Sequence, residues 1–327
     1  MVGSDKEYFV LVVFAVLCLL PVVLTLVFHQ VFKHRKMKNV ILNLGSIAII
    51  IGLITSCDYI NNAVPPSTGS TTGGTTGPTI IYRKALVEDY TGHKCGNCPA
   101  AAQQLTTLEG TYPNKIVPVA VHAGFFANVA GTYTTNFKTV DGDAYDTQFG
   151  NSGAGNPNGL VNRVGYGSGS FIKQWSSWGA EVASQIAIPA KFQIKIKNSF
   201  NAISSTLTTS VTVKALASNT GTYKLVVLLT EDSIIKEQLD YSLPSGSQFV
   251  PNYRFNHVLR GAINSTWGDA IFSSTIANND SVVMPYTQVL NTAFVPSKCH
   301  VVAYVYDSNS ASPTYYEVFQ AEEEFVK

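Results

Sequence analysis

From Pro189 onward the sequence alternates in twos, and that pattern confines the second half of the chain to sheet. In "KFQIKIK", Phe192, Ile194 and Ile196 share one face, while Lys191, Gln193, Lys195 and Lys197 share the other. "TLTTSVTVKAL" repeats the alternation through Leu207, Val211, Val213 and Ala215. "YKLVVLLT", "SVVMPYTQV", "CHVVAYVYD" and "TYYEVFQAEEEFV" continue the series, separated by turn-rich stretches such as "ASNTGT" and "DSNSAS". Strands without intervening helices, each with a polar face, predict an antiparallel, Ig-like β-sandwich over residues 188–327. Cys299 alternates with Val301, Ala303 and Val305, which reads as a buried, inert thiol.

The stretch before it has a different texture. Ile80 to Asp89 reads as a strand with the apolar segment "ALV", and Lys115 to Gly124 ("KIVPVAVHAG") as another. Between them, Ala101, Ala102, Leu105 and Leu108 fall at helical spacing, and Gly110 and Pro113 mark the stop. The result is a βαβ unit with "CGNC", Cys95 to Cys98, at the strand-to-helix junction. An insertion, 125–154, is rich in Gly, Asn, Thr and aromatics; within it Tyr145 and Phe149 suggest a short helix. A third strand is expected near Leu160 to Val164. Phe171 to Ile186 reads as one amphipathic helix carrying Phe171, Trp175, Trp178 and Val182 along one side.

Two apolar runs precede this region. Tyr8 to Phe28 holds 21 residues without a charge, enough to span a bilayer. Met37 to Tyr59 begins with a short basic start, continues through an apolar core and ends in small residues before a cysteine, the anatomy of a cleaved export signal. Ile54-Thr55-Ser56-Cys57 resembles a bacterial lipobox, whose cysteine is acylated and becomes the first mature residue. Residues 1–36 then read either as a transmembrane helix or as the product of a start codon placed too early, and they are set aside from the fold. Asn61 to Thr79 is uncharged and almost wholly Ser, Thr, Gly, Pro and Asn, so residues 58–79 form a flexible tether. From Cys57 on there are 271 residues, with 17 Lys and Arg against 19 Asp and Glu, a net charge of −2. That balance gives no reason to expect a nucleic-acid partner.

An exported chain can keep a disulfide, and three readings of Cys95 and Cys98 compete. A zinc site needs about four ligands, and only Cys299 and scattered histidines remain to complete one. A purely structural bridge across so short a loop constrains the unfolded chain little. A redox pair fits the position better, because unpaired N–H groups at a helix start stabilise a thiolate. Cys95 would be the attacking thiolate, and Cys98 would resolve the mixed disulfide. His93 and Lys94 would favour that thiolate when charged. No cofactor or metal is called for.

The arrangement is thioredoxin-like, and that resemblance extends to two further residues. Asp89, six residues before Cys95, lies where thioredoxins carry a buried acid that helps deprotonate the second cysteine; a solvated strand-end carboxylate is the alternative. Pro157 lies where that fold places a cis-proline; an ordinary turn proline is the alternative. Lys94 and Gly96-Asn97 depart from the thioredoxin pattern of Trp before the pair and Gly-Pro within it, which leaves reductant, isomerase and oxidant undistinguished. Other candidates are weaker. His122 reads as a strand-end histidine satisfied by local hydrogen bonds, and Asn256, His257 and Arg260 as a loop network. Asp232-Ser233-Ile234 and Asp280-Ser281-Val282 match a short O-glycan acceptor pattern.

Taken together, "VEDYTGHKCGNCPAAA", "VPVAVHAG", "GNPNGLVNR", "LTED", "NHVLRG" and "VVAYVYD" with "EVFQAEEE" resemble the twenty-eight-kilodalton outer-membrane-protein family of bacterial lipoproteins, from about residue 80 to the C-terminus. The resemblance implies a thioredoxin-like domain (80–187), a β-sandwich domain (188–327) and an outer-membrane lipid anchor at Cys57. Two functions follow as expectations. One is disulfide exchange with the thiols of exported proteins. The other is adhesion or binding at the outer membrane, with the thioredoxin-like part as scaffold.

Overall fold

The computed structural model describes residues 80–327. The apolar segment 1–36, the signal 37–57 with Cys57, and the tether 58–79 lie outside them. Among the described residues no helix is long and apolar enough to cross a membrane.

The first part of the chain runs β1 (Ala85–Thr91), α1 (Cys98–Thr111), β2 (Ile116–His122), α2 (Val140–Phe149), β3 (Asn158–Val161), β4 (Lys173–Gln174) and α3 (Trp178–Ile186). It continues as β5 (Phe192–Asn201), β6 (Thr206–Ala215), β7 (Asn219–Glu231), β8 (Ile234–Leu239), β9 (Phe249–Phe255), β10 (Val258–Ala262), β11 (Asp269–Ile276), β12 (Ser281–Val289), β13 (Cys299–Asp307) and β14 (Val318–Phe325). β1 and β2 are parallel, joined through α1. β3 is antiparallel to β1, and β4 to β3.

The molecule is mostly β, and its sheets do not divide at residue 188. One nine-stranded sheet runs β14-β13-β7-β10-β2-β1-β3-β4, with β11 also on β7. The join is narrow: Val258 of β10 registers with Ala120 of β2, and Ala120 N donates to His257 O at 2.8 Å. β12-β6-β5 form a three-stranded sheet, and β8-β9 a two-stranded one.

Period-two alternation decides which core each side chain joins. Phe192, Ile194, Leu207, Val211 and Val213 of the three-stranded sheet pack on Leu225, Val227, Leu229, Val301 and Val305 of β7 and β13. Val226, Leu228, Val302 and Tyr304 point the other way and join Leu86, Val119, Val121, Tyr145 and Phe149 in a second core. Strands β7 and β13 are therefore buried on both faces, which explains their continuous apolar runs. A third core sets Ala101, Leu105 and Leu108 of α1 and Trp178 and Val182 of α3 against Ala85, Val87 and Val161. Each Val, Leu, Ile or Phe among them contributes about 1.5–3 kcal/mol on burial.

The helix expected from Phe171 starts later. Lys173–Gln174 pair with β3, Trp175–Ser177 make a single 3-10 turn, and the α-helix begins at Trp178. Phe171 leaves the Trp178 face altogether and packs against Phe149 and Tyr166. The pairing of β4 with β3 takes the backbone that a longer helix would have needed.

Candidate functional site

The cysteine loop hangs from the end of β1 and enters α1 directly. Cys95 N donates to Gly92 O at 2.9 Å and Cys98 N to Cys95 O at 3.2 Å, so the loop is a tight turn that places both cysteines at the helix start. Lys94 N is held by Phe126 O at 3.1 Å, which ties the loop to the insertion. Cys95 and Cys98 form a disulfide. Asn97 precedes the helix without a side-chain cap, and Pro99 occupies its first turn. The remaining first-turn N–H groups and the helix dipole face the disulfide end.

The charged neighbours expected to assist the thiolate do not both do so. His93 is buried, stacks on Tyr133 at 5.4 Å, and sits 3.2 Å from Asn128 O through Nε2. Burial holds its pKa below the ordinary imidazole value, against the opposing contact with Asn128 O and with the Lys94 charge adding to the effect, so the neutral form is favoured. Lys94 sets its Nζ 4.5 Å from the centre of the Phe125 ring.

Behind the disulfide lies a cavity of about 590 Å³, lined by Cys98, Asp89, Thr91, His122, Tyr253 and His257 among others. Asp89 projects from β1 on the α1 side of the sheet, and it is buried rather than solvated. Its Oδ1 has no hydrogen-bond partner, and desolvation pushes its pKa up to about 7, offset only in part by His257. His122 at the end of β2 faces the same cavity, beside Phe137 and Phe255 at 4.6 and 5.5 Å. The local hydrogen bonds expected for it are absent, since neither ring nitrogen has a partner among the described residues. Burial, then His93 and Arg260, lower its pKa to about 3, so it is a neutral donor or acceptor. Pro157 is buried directly before β3, and the Asn156–Pro157 bond is cis. Because Asn158 registers with Tyr90, Pro157 sits beside the end of β1 from which the cysteine loop departs.

Asn256 and His257 also line this cavity, while Arg260 and Cys299 do not. Asn256 Oδ1 accepts from Ser233 N, His257 contacts Glu109 and Asp232 at 3.4 Å each, and Arg260 pairs with Glu231 at 2.7 Å. In place of the loop network the sequence suggested, each residue ties to a different element, Glu109 of α1 among them. Cys299 is fully buried, its thiol pushed up to about 12 by burial and by Glu231.

Sequence reasoning missed the other wall of the site. The β8–β9 hairpin lies over the cysteine loop, and Gln238, Asp240, Ser242, Tyr253 and Arg254 line the cavity. Beneath this cover Cys95 is 3% exposed and Cys98 2%. The one available signal was "DYSLPSGSQF", Asp240 to Phe249, a Pro- and Gly-containing turn with apolar residues on it. Tyr241 at its start is 56% exposed.

The family model for Outer membrane protein Omp28 matches residues 142–324, more than half of the sequence. Among solved structures, HBP35 of Porphyromonas gingivalis is 14% identical over 75% of this chain and 76% of that one, with a TM-score of 0.53. That likeness is one of fold. A domain of the outer membrane lipoprotein Omp28 from Porphyromonas gingivalis is 22% identical over 42% of this chain and 89% of that one, with a TM-score of 0.27. No curated protein matches the chain.

Proposed function

The chain belongs to the Omp28 family of outer membrane proteins, and from that premise we propose that it is a lipoprotein anchored through Cys57 whose Cys95–Cys98 disulfide exchanges with thiols of other exported proteins. Its place in the cell envelope follows from the family. The thioredoxin-like reading of residues 80–187, with the insertion 125–154, rests on the order β2-β1-β3-β4 and on the cysteines between β1 and α1. Residues 188–327 supply the sandwich and, through β10, the strand that flanks β2.

The observation that carries the exchange reading is the pairing of this disulfide with a buried acid across one cavity. A partner's thiolate attacks Cys95 Sγ, the bond to Cys98 breaks, and Cys98 leaves as a thiolate stabilised by the first turn of α1. A second thiolate on the partner then attacks the partner's own sulfur in the mixed disulfide and releases Cys95. Two electrons pass from partner to protein, and the partner leaves oxidised. The reverse sequence reduces a partner disulfide, and there Asp89 accepts the Cys98 proton. Replacing Cys98 by Ser leaves Cys95 without its resolving thiol, so a stable mixed disulfide with an exported protein is expected on non-reducing gels. No adduct through Cys95 counts against the proposal.

A second reading draws on the burial of Cys95. In it the disulfide only fixes the loop, and the surface around exposed Phe125, Val129 and Phe249 binds a partner without redox chemistry. Full partner binding by a Cys95→Ser/Cys98→Ser variant would select that reading.

A further inference from the structure

The β8–β9 hairpin forms a two-stranded sheet of its own, with no ladder to the nine-stranded sheet. Its hydrogen bonds go to the cysteine loop instead. Leu239 N donates to His93 O and Tyr241 N to Gly96 O, each at 2.8 Å. Gln238 Nε2 donates to Cys95 O at 3.0 Å. In an extended chain, amides two residues apart face the same side, so Leu239 and Tyr241 offer the donor edge that any added strand would offer. The Tyr241 ring closes over Gly96: a Cβ built there would lie 2.4 Å from the ring, so the dipeptide between the cysteines accommodates this contact only with glycine.

From this geometry we infer that the segment Gln238–Tyr241 stands in for an extended strand of the redox partner, and that the hairpin swings away to admit that strand to Cys95. The inference rests on the exchange reading above and names what the site recognises. The partner is a polypeptide with a cysteine in an extended stretch, held through its main chain by the carbonyls of His93 and Gly96. Recognition of that kind tolerates many side chains, because main-chain pairing supplies the affinity.

The hairpin is built to move as a unit. Ser233 and His257, at its two ends, both take left-handed conformations with φ of 59° and 57°. They are closed on each other by Ser233 N to Asn256 Oδ1 and His257 N to Asp232 Oδ1, at 3.0 and 2.6 Å. Such element-terminal residues are where hinge rotations are absorbed. A lone two-stranded hairpin is marginally stable, so its docked state depends on the contacts with the loop and with Phe137 and Tyr133.

The test uses the full-length protein and its Gln238→Ala/Tyr241→Ala variant. The probe is a reduced, unstructured peptide with one cysteine, beside a copy N-methylated on alternate amides around it. The rate at which the first peptide opens the Cys95–Cys98 bond to a mixed disulfide, read by rapid alkylation of the freed Cys98, is expected to rise about tenfold in the variant, a change of about 1.4 kcal/mol. In the unaltered protein the N-methylated copy should react more slowly than its parent, since it lacks the donors that replace Leu239 and Tyr241. Hydrogen exchange at the Leu239 and Tyr241 amides should be faster than in β6. Equal rates for both proteins and both peptides overturn the inference while leaving exchange intact. No reaction of either protein with the peptide overturns the exchange reading beneath it.

Discussion

Asp89 shows how one buried side chain sets a pH range. Its neighbours in the cavity are His122 from β2 and Tyr253 and His257 from the β9 end, with Cys98 from α1. Neutral His122 offers it no charge, and His257 offsets only part of the desolvation. A carboxyl raised from 3.8 to about 7 on folding is favoured in its protonated form. The stability this preference gives is complete below the unfolded value and is lost as pH rises through about 7. An Asp89→Asn variant has nothing to ionise. Each tenfold difference in proton affinity between the folded and unfolded chain is worth about 1.4 kcal/mol. Relative to the parent, the variant should therefore gain on the order of 4 kcal/mol at pH 8 and nothing near pH 4. Urea midpoints at the two pH values measure this, and a gain that does not depend on pH would contradict it. The rate at which the reduced pair attacks a disulfide should rise through pH 7 in the parent and lose that inflection in the variant. A role in packing alone would leave the inflection in place.

At the scale of elements, what the sequence disclosed follows from periodicity. β5, β6 and β13 were legible because their alternation or unbroken apolar character matches burial on one face or two. The cysteine junction was legible because strand, loop and helix are contiguous there. β8 and β9 were not: in Ile234–Leu239 the one fully buried side chain is Gln238, and in Phe249–Phe255 it is Phe255, so neither strand shows an apolar period. Their order comes from pairing with each other and from bonds to residues about 140 positions away, contacts that composition does not announce. The start of α3 was misplaced for a similar reason, since β4 exists only through β3. β3 in turn depends on Gly159. A Cβ there would lie 2.4 Å from Glu88 O and 2.7 Å from the Trp178 ring, so strand and helix meet only because the side chain is absent. Gly159→Ala should cost about 1–3 kcal/mol or more through forced repacking, read as a lower thermal midpoint with faster exchange in β3 and α3. An unchanged midpoint would mean that Trp178 moves freely, against its complete burial.

At the scale of the whole molecule, the described residues fall in one compact unit, although the sequence changes texture near residue 188. The coupling has a chemical centre. Arg163, just after β3, donates through Nε and Nη2 to Glu88 of β1 and through Nη2 to Tyr304 of β13, all at 2.7–2.8 Å and with no solvent exposure at Arg163. Removing Glu88 would leave the Arg163 charge unpaired in a dry interior, at a cost of about 3–5 kcal/mol, and the Tyr304 bond holds only while β13 stays in place. The apolar contacts carry the same dependence. Leu86, Val119 and Val121 share one core with Val226, Leu228 and Val302, so removing residues 188–327 strips part of the cover from β1 and β2 and bares the β2 edge. A fragment of residues 80–187 should accordingly show no cooperative thermal transition and should aggregate, while 80–327 melts in a single transition by calorimetry. Mixing it with a fragment of 188–327 should restore that transition, since the missing strands complete the same sheet and its shared core. A sharp independent melt of 80–187 would mean that its own helices suffice to cover the sheet, and that the join at Val258 and Ala120 is a contact between two self-sufficient folds.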